Sequence, residues 1–386
     1  MKILYYLPSL YTSGGLERII TLKANYLAEK YNYHVIILTS EQKFKAQYFH
    51  LSDKIKLIDL NVSFDPYLDH SRTLRLLYYP FHYQIFKRKF HQILEEYRPD
   101  ISISTLRREL NFIHSIKDGS VKIGEFHVTR QVYHSGSIRG NSLMIRLLKK
   151  YLERSLISNL KKLSKVILLT MEEKLNWPEL SNAIVIHNPL SFFPEISSTC
   201  EKKIAIAVGR FTYQKGFDLL VESWKEVNQR HPDWQLHIYG EGEKMPLLNQ
   251  VHSLGLSDSC FLQDPVENIQ DKYVESSIFI LSSRFEGFGM VIAEAMACGV
   301  PPVSFACPCG PRDIITSGED GLLAEPENTQ DLARKICYLI ENEAIRIEMG
   351  KKARKSAERF RIDKIMNQWK ELFESILEQK VENEIT

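Results

Sequence analysis

Short apolar runs alternate with amphipathic stretches along this chain, and the alternation is played through twice. The opening residues set the pattern: the apolar run "KILYYLP", the glycine-containing loop "SLYTSGG", the amphipathic stretch "LERIITLKANYLAEKY", then "HVIILTS". Brief continuous apolar runs read as strands buried on both faces, and apolar residues recurring every three or four positions read as the helices that cover them. Further strand-like runs follow at "KLIDL", "DISIST", "VKIGEFHV", "KVILLT" and "AIVIHN". The prolines and small polar residues of "NPLSFFPEISSTCEKK" predict a linker. Beyond it "KIAIAVG", "WQLHIYG", "SIFILSS" and "VPPVSF" repeat the grammar, with helices starting near residues 216, 243, 289 and 312. The expected fold class is α/β, two Rossmann-like domains with parallel sheets covered on both faces. The expected boundaries are residues 1–190 and 200–360. A terminal helix over 361–386 is expected to cross back to the first domain, with Ile362, Ile365, Met366, Trp369, Leu372, Phe373 and Ile376 as its apolar stripe. Ligands of such sheets bind at the carboxyl ends of the strands, so the site is expected in the crevice where the two domains face each other.

Composition narrows the class. A length of 386 residues exceeds one ordinary core, and 44% hydrophobic with 25% charged content argues against disorder. No apolar run reaches the roughly 18 residues of a membrane span. The short apolar start is cut by Pro8 and lacks a cleavage site, so the reading is a soluble, unexported protein. The six cysteines (200, 260, 298, 307, 309, 337) form no C-x-x-C pair, which predicts reduced thiols without a zinc or redox role. No repeat with a period of roughly 20 to 50 residues recurs.

Charge is divided unevenly. Residues 1–199 hold 28 Lys+Arg against 18 Asp+Glu, a net of +10, and the remainder holds 22 against 30, a net of −8. Residues 139–165 alone carry eight Lys+Arg against one glutamate, on a stripe of Leu143, Leu147, Leu148, Tyr151, Leu152 and Leu156. That pattern fits either the solvated face of a core helix or attraction to anionic lipid headgroups or a diphosphate-linked acceptor. "YYPFHYQIFKRKF" adds aromatics and cations. Nucleic acid is not expected, because no reader motif accompanies the charge.

Candidate site residues gather at loops after strands. Glu286 follows "SIFILSS", and Gly287 and Gly289 allow a tight turn into a helix that stops at Gly299 before Pro301. The helix start at Gly289, Met290 and Val291 offers free N–H groups to a phosphate. Glu294 lies one turn inside this helix among small apolar neighbours. It either faces solvent or needs a polar partner, which ribose hydroxyls would supply. Arg210 and Lys215 in "VGRFTYQKG" can clamp a diphosphate, or belong to an ordinary solvated loop. Gly14 and Gly15 mark a strand-to-helix turn but lack the full G-x-G-x-x-G fingerprint. His127 ends "VKIGEFHV", either as a structural histidine or pointing into the crevice.

Taken together, "SGGLER", "VGRFTYQKG", "YGEGE", "EGFGMVIAEAMACGVPPV" and "CGPRDIITSGEDGLL" resemble glycosyltransferase family 4, the retaining sugar-nucleotide transferases with the GT-B fold. The resemblance spans nearly the whole chain, and "CPCGPRDII" is most similar to transferases that build bacterial surface polysaccharides and lipid-linked glycans. It implies that Glu286 faces the donor sugar, Glu294 holds the ribose, and Arg210 and Lys215 neutralise the diphosphate. It also implies that Gly15 and the amides near Met290 approach the diphosphate, and that His127 contacts the sugar near its 6-position. Three positions depart from the family pattern: Val128 where an aspartate often follows the histidine, Asp313 where glutamate is common, and Gln263 where many relatives carry glycine.

The implied activity is retaining transfer from a nucleotide-sugar, UDP favoured over GDP, to a saccharide acceptor linked to polyprenyl diphosphate, at the cytoplasmic face of the cell membrane. No D-x-D occurs, so no metal or other cofactor is expected, and fixed cations are to meet the leaving group. Competing readings are a sugar-nucleotide epimerase, a sugar phosphorylase, or a catalytically silent scaffold that binds donor.

Overall fold

The computed structural model describes residues 1–62, 64, 72–135 and 143–385. The expected basic run 139–165 therefore lies outside the description over its first four residues. The chain forms two compact units. The first comprises Met1–Leu168, Lys174–Ile186 and Met366–Thr386, and the second Leu169–Glu173 and His187–Ile365. The linker-like segment thus belongs to the second unit, where the Leu190 N–H donates to the Phe360 carbonyl and Arg354 binds the carbonyl of Pro194.

The first unit holds seven strands, β1 (Lys2–Tyr6), β2 (His34–Thr39), β3 (Lys56–Asp59), β4 (Ile101–Ser104), β5 (Val121–Glu125), β6 (Lys165–Leu168) and β7 (Ala183–Val185). All pair in parallel, in the order β3-β2-β1-β4-β5-β6-β7. The second holds six, β8 (Ile204–Val208), β9 (Gln235–Tyr239), β10 (Cys260–Gln263), β11 (Ile278–Leu281), β12 (Pro302–Phe305) and β13 (Leu322–Ala324), parallel in the order β10-β9-β8-β11-β12-β13. β4 and β11 are buried at every residue, as strands covered by helices on both faces must be.

In each unit the strand order reverses once, between β1 and β4 and between β8 and β11. Loops leaving the carboxyl ends of such a pair diverge to opposite faces and leave room for a ligand. An aromatic cluster fixes one face of the first sheet, where Tyr6, Phe86, Phe90 and Phe112 meet with ring centroids 5.1–5.8 Å apart. In the second unit, helix Phe217–Arg230 buries Trp224 and packs on helix Thr329–Glu341.

The terminal helix Ile362–Ile385 buries Ile365, Met366, Trp369, Phe373 and Ile376, and all of it from Met366 on belongs to the first unit. Two strands, β10 and β13, are too short to stand out in the sequence. The helix Leu143–Lys161 departs from the core-helix expectation: of its apolar stripe only Leu156 is buried, while Leu143, Leu147, Leu148, Tyr151 and Leu152 face solvent. All six cysteines are buried and unbridged. Among the described residues no helix is long and apolar enough to cross a membrane.

Candidate functional site

Seven of the expected site residues, Arg210, Lys215, Glu286, Gly289, Met290, Val291 and Glu294, belong to the second unit, and Gly15 and His127 belong to the first. The second-unit group stands at the carboxyl ends of β8 and β11, where the strand order reverses. After β8 the chain makes one 3-10 turn, Tyr213–Lys215, and swings into helix Phe217–Arg230 through Gly216 at φ +60°. Only glycine fits there, since a Cβ would sit 2.1 Å from the Ser282 carbonyl oxygen.

That close approach staples the β8 and β11 loops together. Ser282 Oγ donates to the Lys215 carbonyl at 2.9 Å, the Arg284 N–H to the Gln214 carbonyl at 2.8 Å, and Gln214 Nε2 to the Phe285 carbonyl at 3.1 Å. The result is a fixed Lys215 to Glu286 contact, with Nζ 2.7 Å from Oε1 and Ser283 Oγ donating to the same oxygen at 2.6 Å. Glu286 Oε2 makes no hydrogen bond to a described residue, and Lys215 has two ammonium protons left for other acceptors. The stem of Lys215 crosses the backbone at Gly209, where a Cβ would lie 3.1 Å from it. Arg210 is exposed, and its guanidinium has no partner among the described residues.

The helix that follows runs Met290–Ala297 from Gly289 at φ +91° and ends before Gly299 at φ +77°. Its first N–H groups lack intrahelical acceptors, as in every helix. Gly310 abuts Phe288 so closely that a Cβ would be 2.1 Å from the Phe288 carbonyl oxygen, which shapes this entry from the other side. Glu294 does not face solvent: it is 2% exposed, with the Tyr273 hydroxyl 3.4 Å from Oε2. Asp313, one of the departures from the family pattern, accepts the N–H groups of Met171 and Glu172 and so anchors helix Met171–Leu175.

In the first unit, helix Gly15–Glu29 starts with Gly15 exposed, and a Cβ there would meet nothing within 4 Å. Neither the turn nor internal packing requires that glycine. His127 stands two residues past β5, its side chain 10% exposed, with Nε2 3.2 Å from Glu125 Oε1 but out of line for a hydrogen bond. Glu125 is held from behind by Lys23, whose Nζ lies 2.5 and 2.7 Å from its two oxygens. Burial by itself would raise the Glu125 carboxyl, but Lys23 and His127 outweigh it and bring it down to about 2. Burial pushes the Lys23 ammonium below its ordinary value, against the pull of Glu125.

The sequence reading missed Lys23, Glu125, Ser283 and Tyr273. A signal existed for the first two. Lys23 interrupts a helix face whose other members, Ile19, Ile20, Ala24 and Leu27, are apolar, and Glu125 ends an otherwise buried strand. Val128 packs against the apolar core of its unit.

Two cations, a carboxylate and a helix start at a strand-order reversal define an α/β protein equipped to hold an oxyanion beside a hydroxyl-rich group. Comparison with known proteins shows what the chain is similar to. Residues 192–356 match the family described as "Glycosyl transferases group 1". An uncharacterized glycosyltransferase of Haemophilus influenzae is 29% identical over 384 residues, covering 96% of this chain and 99% of that protein. The amylovoran biosynthesis glycosyltransferase AmsD of Erwinia amylovora is 29% identical over 54% of this chain and 61% of its own length. Among solved structures, Anabaena HepE in complex with UDP and glucose superposes with a TM-score of 0.73 at 18% identity, over 97% of this chain and all of that one. The fold is that of the GT-B glycosyltransferases, and residues 192–356 of the chain are similar to the group 1 family.

Proposed function

We propose that the protein transfers a hexosyl or N-acetylhexosaminyl group, with retention, from a UDP-sugar to a saccharide carried on polyprenyl diphosphate. The observation that carries this reading is the Lys215 to Glu286 contact at the strand-order reversal, beside the helix start at Gly289. Departure of a nucleoside diphosphate puts negative charge on phosphate oxygens. Lys215 and the N–H groups of Met290 and Val291 are fixed donors that meet such charge without reorganising, and the exposed Arg210 adds a further cation. This supports chemistry that requires neither metal nor other cofactor. Glu286, with Oε2 open, takes hydroxyls of the sugar, and Glu294 takes those of the ribose in addition to Tyr273. Gly15, in the first unit, leaves open space at the start of its helix. UDP as the nucleotide accords with the ligand of HepE, and a glycan-building role accords with the amylovoran relative.

Retention follows from attack on the face the diphosphate leaves, with a phosphate oxygen drawing the proton from the acceptor hydroxyl. Glu286 is the one carboxylate assigned to the sugar, so the acid and base pair of a glycosidase is not assembled.

The exposed face of helix Leu143–Lys161 supports work at an anionic membrane surface on the cytoplasmic side. Leu143 is 67% exposed, Met144 80%, Leu147 61% and Tyr151 68%, beside the exposed cations Arg146, Lys149, Lys150 and Arg154. Apolar residues set among cations suit the boundary between headgroups and acyl chains.

One experiment tests both parts. The protein is incubated in EDTA with a UDP-sugar and anionic vesicles carrying a polyprenyl-diphosphate-linked saccharide. UDP should be released only when the acceptor is present, the new linkage should keep the donor's anomeric configuration, and the protein should float with the vesicles. An inverted linkage contradicts the mechanism, acceptor-independent UDP release contradicts the transfer reading, and a protein that ignores anionic lipid contradicts the membrane assignment alone.

A further inference from the structure

Beneath His127 lies a charged pair that the transfer chemistry described above does not use. Lys23 and Glu125 are each 1% exposed, on different elements, with Nζ bound to both carboxylate oxygens. The ammonium also sits 4.0 Å above the ring of Trp369, from the terminal helix, and 5.5 Å from the ring centre of Tyr5 on β1. Four elements therefore meet at one ion pair. Burying two charges is expensive, and apolar residues of the same volume commonly do as well or better for stability. A pair kept in such a place can serve something other than stability, and among the described residues its further charged or polar neighbour is the Nε2 of His127, 3.2 Å from Oε1. That nitrogen is buried and has no hydrogen-bond partner among the described residues.

We infer that Lys23 and Glu125 are positioning residues for His127: the carboxylate, locked by Lys23 and sealed by Trp369, draws the ring proton to Nε2 and leaves Nδ1 as a bare acceptor for a substrate hydroxyl. The hydrogen bond on one ring nitrogen decides the state of the other. A contact that is misaligned without ligand is expected to tighten when substrate fixes the ring. The role assigned to His127 rests on the sugar-transfer reading; the tautomer itself does not.

The test uses the full chain labelled with [15N]histidine, the His127 signals being identified by their loss in His127→Asn. In the wild-type protein the neutral ring should carry its proton on Nε2. In the double variant Lys23→Met with Glu125→Leu, which replaces the pair by apolar groups of similar size, the preference should vanish. There kcat should fall by at least roughly 10-fold with little change in the KM for the UDP-sugar, since misplacing a reacting group by about 1 Å can cost about 10²-fold. A wild-type His127 protonated on Nδ1 overturns the inference, and that measurement stands whether or not the double variant folds. A folded double variant with unchanged kcat also overturns it. If the wild-type protein transfers no sugar from any UDP-sugar while the tautomer behaves as stated, the positioning holds and the transfer reading is what fails.

Discussion

Lys215→Ala lowers turnover by about 10²–10³-fold, the usual effect of losing one preorganised donor to developing oxyanion charge. Three features make Lys215 that donor. Its backbone is pinned through Ser282, and its stem is laid across Gly209. Its ammonium is held 2.7 Å from Glu286, with two protons to spare. The loss should fall on kcat more than on the KM for the sugar nucleotide, because charge on the leaving phosphate grows as the bond breaks. The fold should survive, since Glu286 keeps the Ser283 hydroxyl and an open second oxygen. Steady-state kinetics beside thermal unfolding of the same preparation checks this. Turnover within a few-fold of wild type would remove Lys215 from the site.

The largest stability effect is expected at Glu125. Glu125→Ala leaves the Lys23 ammonium buried against Trp369 and Tyr5 without a counter-charge, which costs about 3–5 kcal/mol. Against a total stability of about 5–15 kcal/mol that loss is severe. The pair also sets an acid dependence. The Glu125 carboxyl is held at about 2 in the fold against an ordinary 4.5, so the unfolded chain takes up its proton first as pH falls. The stabilisation is present in full above 4.5 and lost as the pH falls towards 2. Other carboxylates titrate there too, so the informative quantity is the difference between wild type and the Lys23→Met, Glu125→Leu double variant. Urea unfolding at several pH values should show the wild type losing stability more steeply over this window. Parallel curves would mean that the pair is not ionised in the fold.

Both predictions rest on parts of the molecule that differ in how openly the sequence displays them. Ile278–Leu281 announces itself, because a strand buried on both faces tends to be apolar at every position. The turn at Gly289 is equally legible, since glycines, a short apolar helix and a second glycine at its end occupy fixed places. Cys260–Gln263 and Leu322–Ala324 are not, being only four and three residues long. The stripe from Leu143 to Leu152 shows the limit of periodicity: it records that one helix face is apolar, not what covers that face, and here nothing among the described residues does. Glu294 illustrates the converse, a charge whose apolar neighbours correctly signalled burial. Lys23 and Glu125 carried a local hint, a charge on an apolar helix face and one at the end of a buried strand, but nothing local paired them. Their meaning lies in a contact across 102 positions of sequence, which no local pattern carries.

The most direct test of the central claim is thermal unfolding of the wild-type protein with UDP, GDP and ADP in excess EDTA, repeated with Mg²⁺. A ligand bound by the native state alone stabilises it by about 2.7 kcal/mol at a hundredfold excess over Kd. The account predicts a rise in Tm with UDP above GDP and ADP, equal with and without Mg²⁺, and lost in Lys215→Ala. No rise with any of the three diphosphates, or a rise that appears only with Mg²⁺, would contradict it.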